Sequence, residues 1–400
     1  MGVERSEHLQ IRTIANDSDE CRLVVGAIAV ATIGLAGLGF QPVMVAALIG
    51  AGKFSAEAAG YAASAEVFGI AATNLATALV GKGVSWRLQS IVGIFLLICG
   101  GAASVAAEHA TAPLMVARFI SGLGSGVLIS RGYAAAGLSR NPDRLLGYLL
   151  ATSTAHVAVG SFLLPRLIPQ WGLSAIFIYY GLLALVGLMF VRWMPVGVDA
   201  AVERQHSGSS LMERVSALAA AAFLFTGLGV LWAYLFQIAL SMGAGADEAA
   251  VGLSISQIAA FAGALIASLA GRKVPALAML LTALVITTGS VTMFPVLTGA
   301  LAYAVLAAGF NGSSNTAMVL VLGAVAEADI NGKLIAAAVT AQTLGFAFGP
   351  ALAALFVKNG NFLVPEIMSA TLITASGIAS IVVALARRRR RSETSYRPVF

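Results

Sequence analysis

The chain alternates apolar stretches of about 20 residues or more with short polar breaks, and this alternation constrains its fold more than any other feature. The stretches fall at 23–51, 57–80, 88–107, 112–137, 145–168 and 173–194, then at 215–241, 248–270, 275–294, 297–325, 334–357 and 362–386. Each is long enough to cross a hydrocarbon core of ~30 Å as a helix rising ~1.5 Å per residue. Ala, Gly, Leu and Val dominate and no period-two alternation occurs, so helices rather than barrel strands are expected. Only 10% of the 400 side chains are charged and 59% are hydrophobic, whereas a soluble chain carries about 25% charge. Too little polar surface remains for water, which excludes soluble enzymes, nucleic-acid binders and disordered scaffolds. The expected class is an all-α membrane protein with twelve transmembrane helices.

The basic residues set its orientation. With the N-terminus inside, nineteen of the 24 Lys and Arg lie on inner segments. Three (Lys53, Arg166, Lys358) lie on outer loops, and Arg118 and Arg131 lie within the fourth stretch. This is the positive-inside pattern, and it predicts cytoplasmic termini. The net charge of +6 then faces anionic lipid rather than nucleic acid. The first 22 residues lack the apolar core of a cleaved leader. Short loops and an Ala/Gly-rich make-up point to a bacterial inner membrane. Cys21 and Cys99 are expected to stay reduced.

The only sizeable interior linker is 195–214, rich in Gly, Ser and mixed charge. It divides the chain into an N-terminal tail (1–22), a six-helix bundle (23–194), the cytoplasmic linker, a second six-helix bundle (215–386) and a basic tail (387–400). A repeat supports that division. Gly160 and Pro165 recur as Gly345 and Pro350, an offset of 185, and Gly81-Lys82 recurs as Gly271-Arg272 at 190. Gly122–Gly126 meets Phe310–Gly312 at a similar spacing. Two pseudo-symmetric halves with a cavity between them near mid-membrane are expected.

Leu114, Arg118, Gly122, Gly124 and Gly126 stand in a pattern that resembles the fourth-helix motif of the major facilitator superfamily. Gly345, Gly349 and Pro350 resemble the Gly-x-x-x-Gly-Pro interface motif of that family. Three features depart from the pattern: Ser121 stands where the family often has Gln before the first glycine, Gly81–Arg87 lacks the aspartate of the hallmark inner loop, and helix five lacks the Gly-Pro pair. The resemblance implies secondary transport by alternating access. It also implies a cavity lined by helices one, four, seven and ten, which would place Gln41, Arg118, Trp232, Gln237, Asn311 and Asn315 near substrate.

An ionisable group within a membrane span is a functional candidate by default. Glu66 lies near the middle of the second stretch and is expected to carry a proton, or else to form a permanent ion pair with Arg118. His156, near the middle of the fifth, is a candidate proton relay. Glu366 and Arg131 are expected to snorkel to opposite surfaces. The second half offers amides instead: Gln257, Gln342, and Asn311 with Asn315 on one helix face. Pro42 and Pro350 are expected to kink their helices, with Gly122, Gly124 and Gly349 as close-packing or hinge points.

The leading expectation is a proton-coupled carrier, acting as a monomer, for a small organic solute such as an organic anion; the alternative is proton-antiport export of hydrophobic compounds. The four His lie far apart without metal-ligand spacing, and there is no Walker A sequence. No metal, no cofactor and no enzymatic activity are therefore expected, and a channel would show a filter segment.

Overall fold

The structure is a computed structural model that describes residues 17–80, 84–107, 110–195, 209–270, 274–329, 333–357 and 360–395. Among these residues fourteen helices form. The first seven are α1 (Asp17–Gly39), α2 (Gln41–Gly50), α3 (Ala56–Val80), α4 (Trp86–Ala106), α5 (Thr111–Ala136), α6 (Pro142–Trp171) and α7 (Ser174–Val191). The others are α8 (Leu211–Trp232), α9 (Leu235–Ser241), α10 (Ala246–Ala270), α11 (Ala276–Met293), α12 (Ala300–Ala328), α13 (Lys333–Ala354) and α14 (Leu363–Ser395). Eleven of them are long and apolar enough to cross a membrane; α2, α3 and α9 are not among the eleven. With 25 residues α3 nevertheless has the length of a crossing. The chain is a multi-pass helical membrane protein. The loops at Gly81-Lys82 and Gly271-Arg272, expected on the inner side, and most of the linker lie outside the described residues.

Two stretches expected as single helices are interrupted, at Phe40 between α1 and α2 and at Ala233-Tyr234 between α8 and α9. The first break follows from Pro42, which has no N–H to give to the carbonyl of Leu38 four residues back. The second has no proline; there the Tyr234 N–H turns back to the Leu231 carbonyl at 2.9 Å, tightening the last turn of α8. Pro350 lies inside α13, where the helix runs through it.

The same pairings recur in the two parts of the chain. α5 packs on α1, α3 and α4, and α12 packs on α8, α10 and α11. Across the two groups, α3 packs on α13 and α6 on α10. Glycine makes the closest of these approaches possible. A Cβ at Gly122 of α5 would lie 1.9 Å from the Glu66 carbonyl, and one at Gly263 of α10 would lie 1.8 Å from the Gly312 carbonyl. Gly124 packs on the Gly93 carbonyl and Gly349 on the Gly229 backbone in the same manner. Small residues let helix backbones touch where lipid offers no hydrophobic drive for association.

Contacts between helix ends define two faces. The Arg140 guanidinium pairs with Asp17 at 2.7 Å, and Ser139 donates to Glu20 at 2.6 Å, which puts the α5–α6 turn beside the start of α1. Arg387 bridges Glu213 (2.8 Å) and Glu327, and it also donates to the Ala324 carbonyl. The end of α8 lies against the start of α3, since the Tyr234 hydroxyl donates to the Ala56 carbonyl at 2.9 Å. α1 and α8 therefore begin on one face, called the near face below, and run toward the far face. The basic segment 387–395, expected as a tail, continues α14 as helix.

Candidate functional site

A cavity of about 260 Å³ lies between the two groups of helices. One wall comes from α1, α5 and α6, including Leu38, Tyr133, Ser153, Thr154 and Val157. The other comes from α8, α10, α12 and α13, including Trp232, Gln257, Asn311, Asn315 and Gln342. Phe310 and Phe346 add aromatic surface to that second wall. Of the side chains expected near substrate, Trp232, Asn311 and Asn315 line this space, and Gln257 and Gln342 join them.

Local structure explains why these groups converge. Asn311 and Asn315 are one turn apart on α12, so both face the same way. The Asn311 amide donates to the Ser256 hydroxyl at 2.7 Å, and the Asn315 amide donates to the Asn311 carbonyl at 2.9 Å. On α6, residues 150, 153, 154 and 157 share the face that lines the cavity. Thr32 of α1 and Ser153 of α6 share a hydrogen bond of 3.1 Å beside it.

The far end of the cavity is closed by bonds that join the two groups. The Trp232 indole N–H donates to the Leu38 carbonyl at 3.0 Å. That carbonyl is the one Pro42 leaves without a helical donor, so the kink supplies the acceptor for the closing bond. Beyond it, α2 packs on α9, Tyr234 holds Ala56, and Arg166 pairs with Asp247 at 3.0 Å. Gly60 lies directly under the Tyr234 hydroxyl, where any side chain would collide.

Arg118, Gln41 and Gln237 stand apart from the cavity lining. Arg118 and Glu66 form an ion pair in which both side chains have 0% exposure. The guanidinium also lies over the rings of Phe177 and Tyr180, 5.3 and 5.2 Å from their centroids, an arrangement that stabilises a desolvated cation. The second Glu66 oxygen and the Arg118 Nε and Nη1 have no hydrogen-bond partner among the described residues. α1 crosses the pair at Gly37, where a Cβ would lie 2.3 Å from the Glu66 carboxylate. The next two residues, Leu38 and Gly39, line the cavity. The ion pair is thus one residue removed from the closing bond.

Gln41 donates to the Ala63 carbonyl at 3.0 Å and ties α2 to α3. His156 is half-buried; its Nε2 meets the Tyr179 hydroxyl and its ring meets Phe40 edge-on at 5.3 Å. It faces the α1–α2 break rather than the cavity. Glu366 and Arg131, expected to reach the surfaces, are buried at 5% and 7% exposure. The Arg131 guanidinium lies 5.5 Å from the centroid of the Trp86 ring, and Glu366 lies between Phe362, which meets the Tyr234 ring, and Ser369, which donates to the Gly227 carbonyl. Both face neighbouring helices because they share a helix side with packing residues, which a hydropathy profile does not register. Among the described residues no His, Cys, Asp and Glu group fit to hold a metal occurs, and Cys21 and Cys99 are free thiols.

No family model and no curated protein sequence matches this chain. Its fold is nevertheless that of known membrane transporters. A D-xylose–proton symporter superposes with a TM-score of 0.67 at 16% identity, over 92% of this chain and 95% of that one. The POT family transporter PepTSo gives 0.69 at 12% identity, over 94% and 98% of the two chains. The xylose transporter XylE from E. coli, in a partially occluded inward-open conformation, gives 0.68 at 14% identity over 89% and 96%. The fold shared with these transporters is the architecture that the resemblance of the motifs around Arg118 and Pro350 implies.

Proposed function

We propose that this protein is a proton-coupled secondary transporter that moves a small organic solute by alternating access. The observation that carries the reading is the cavity built from both groups of helices and closed on the far side by Trp232, Tyr234 and the α2–α9 contact. In this reading twelve crossings form two six-helix halves, 23–194 and 215–386, joined by the linker 195–214. The near face, with both termini, is cytoplasmic in a bacterial inner membrane, and the protein acts as a monomer without catalytic chemistry. The neighbours in fold include a D-xylose–proton symporter, which supports coupling to protons.

Glu66 takes the proton in this mechanism. Its charge holds Arg118, and Gly37 rests against its carboxylate. Protonation weakens the ion pair and releases α1 beside Leu38, so that the Trp232–Leu38 bond breaks and the far side opens. His156 and Tyr179, both packed against Phe40 at the same α1–α2 break, form the second proton-exchanging element. Pro42, Pro350 and the glycines 122, 124 and 349 let the helices bend and slide. Reconstituted protein with an imposed pH gradient should accumulate solute, and Glu66→Gln should abolish the gradient dependence. Undiminished gradient-driven transport in Glu66→Gln overturns the role of Glu66. A second reading, export of hydrophobic compounds by proton antiport, draws on the apolar part of the wall at Leu150, Leu228 and Met318. Unchanged tolerance of an overexpressing strain to a panel of hydrophobic toxicants removes it.

A further inference from the structure

The cavity carries more chemical information than its location. Among the described residues, none that lines it is Asp, Glu, Lys, Arg or His. The nearest expected cation, Arg118, is sealed in its ion pair under Phe177 and Tyr180. An ionised solute group entering such a space loses its hydration and finds no counter-charge, which is strongly unfavourable.

Several hydrogen-bond donors of the lining are already engaged within the protein. The Trp232 Nε1–H donates to the Leu38 carbonyl, and Asn311 and Asn315 each give one amide N–H, to the Ser256 hydroxyl and the Asn311 carbonyl. Gln257 differs. It is 7% exposed, it lines the cavity, and its buried Nε2 has no partner among the described residues. A buried donor left without an acceptor is costly, and a turn of the Gln257 amide toward a ligand oxygen in the cavity removes that cost. Trp232 and Phe346 supply flat apolar surface beside it. At about 260 Å³ the space suits a compact solute, since pockets for drug-sized ligands run ~300–1,000 Å³.

We propose that the solute bound in this cavity is uncharged and compact, with a flat or apolar face and an oxygen acceptor that receives the Gln257 amide. This rests on the transport reading for the site's purpose, and it replaces the organic anion expected from Arg118 by a neutral solute. It also makes Gln257 a specificity-determining residue, because an analogue without the acceptor leaves the Nε2 unmet.

The test uses three probes of one shape and different charge: nicotinamide (neutral), nicotinate (anion) and N-methylnicotinamidium (cation). Binding to purified full-length protein in detergent at neutral pH is read by tryptophan fluorescence and by thermal stabilisation. Nicotinamide should bind at least about tenfold more tightly than either ion, and Gln257→Leu should weaken it about tenfold or more. Gln257→Glu should shift the preference toward the cation, which also reports that the variant is folded. The proposal is overturned by an ion binding as well as nicotinamide, by no saturable binding of any probe, or by unchanged affinity in Gln257→Leu. Because binding is read without a gradient, the two claims separate. Gln257-dependent nicotinamide binding without gradient-driven uptake sinks the transport reading alone, whereas gradient-driven uptake of nicotinate sinks the neutral-solute proposal alone.

Discussion

Removing one member of the Glu66–Arg118 pair tests how the membrane-buried charges are held. Both side chains have 0% exposure, and each is the other's only ionic partner among the described residues. Arg118→Gln leaves a carboxylate in a site closed by Gly37 and Gly122, with no room for a water shell. Breaking a buried pair by deleting one partner costs about 3–5 kcal/mol. Loss of the contacts to Phe177 and Tyr180 adds about 0.5–2 kcal/mol for each ring. At about 2.1 cal/mol/K of unfolding entropy per residue, 400 residues give about 0.8 kcal/mol/K, so the ion-pair loss alone corresponds to about 4–6 °C in Tm. The double variant Glu66→Gln/Arg118→Gln removes both charges together and should recover most of that loss. Thermal unfolding of detergent-purified protein, followed by intrinsic fluorescence, measures both quantities. A single variant as stable as the wild type, or a double variant no better than the single, refutes the claim that a desolvated charge is what the pair neutralises.

Three further outcomes follow from particular contacts. Gly122→Ala and Gly263→Ala force a Cβ to within 2 Å of a facing backbone carbonyl and should abolish well-folded protein in size-exclusion profiles, whereas Gly181→Ala and Gly289→Ala meet open space and should elute as wild type. Trp232→Phe deletes the donor to Leu38 and should raise far-side labelling of a cysteine placed at Ser153 by a membrane-impermeant thiol reagent, in a background lacking Cys21 and Cys99; unaltered labelling argues that this bond does not close the cavity. Arg166→Gln should change stability by no more than about 1 kcal/mol, since its pair with Asp247 is partly solvated (34% and 77% exposed).

Much of the architecture was legible in one dimension. Length and hydropathy locate the apolar helices because a bilayer requires every backbone group to be bonded within its own segment, and that demand is local. The glycine spacing around residues 122–126 and 345–349 was equally readable, since close backbone approach admits almost nothing else. The breaks at Phe40 and Tyr234 were only half visible. Pro42 marks the first, but nothing in the sequence near Ala233 announces the second.

The polar residues divide along the same line. The sequence alone showed that Glu66, Arg118 and His156 are the ionisable groups deep in the apolar stretches, because the cost of burying charge makes them rare. It also showed the amides of the second half. Which of them share a space was decided only by the tertiary structure. Helix rotation turns Arg118 onto Glu66 and away from the cavity, and turns Gln257, Asn311 and Asn315 into it. A rotation of one residue about a helix axis is ~100°, set by packing between helices distant in sequence, and hydropathy is blind to it. The scarcity of charge therefore identified a membrane protein from its sequence, whereas the neutrality of its cavity is a property of the fold.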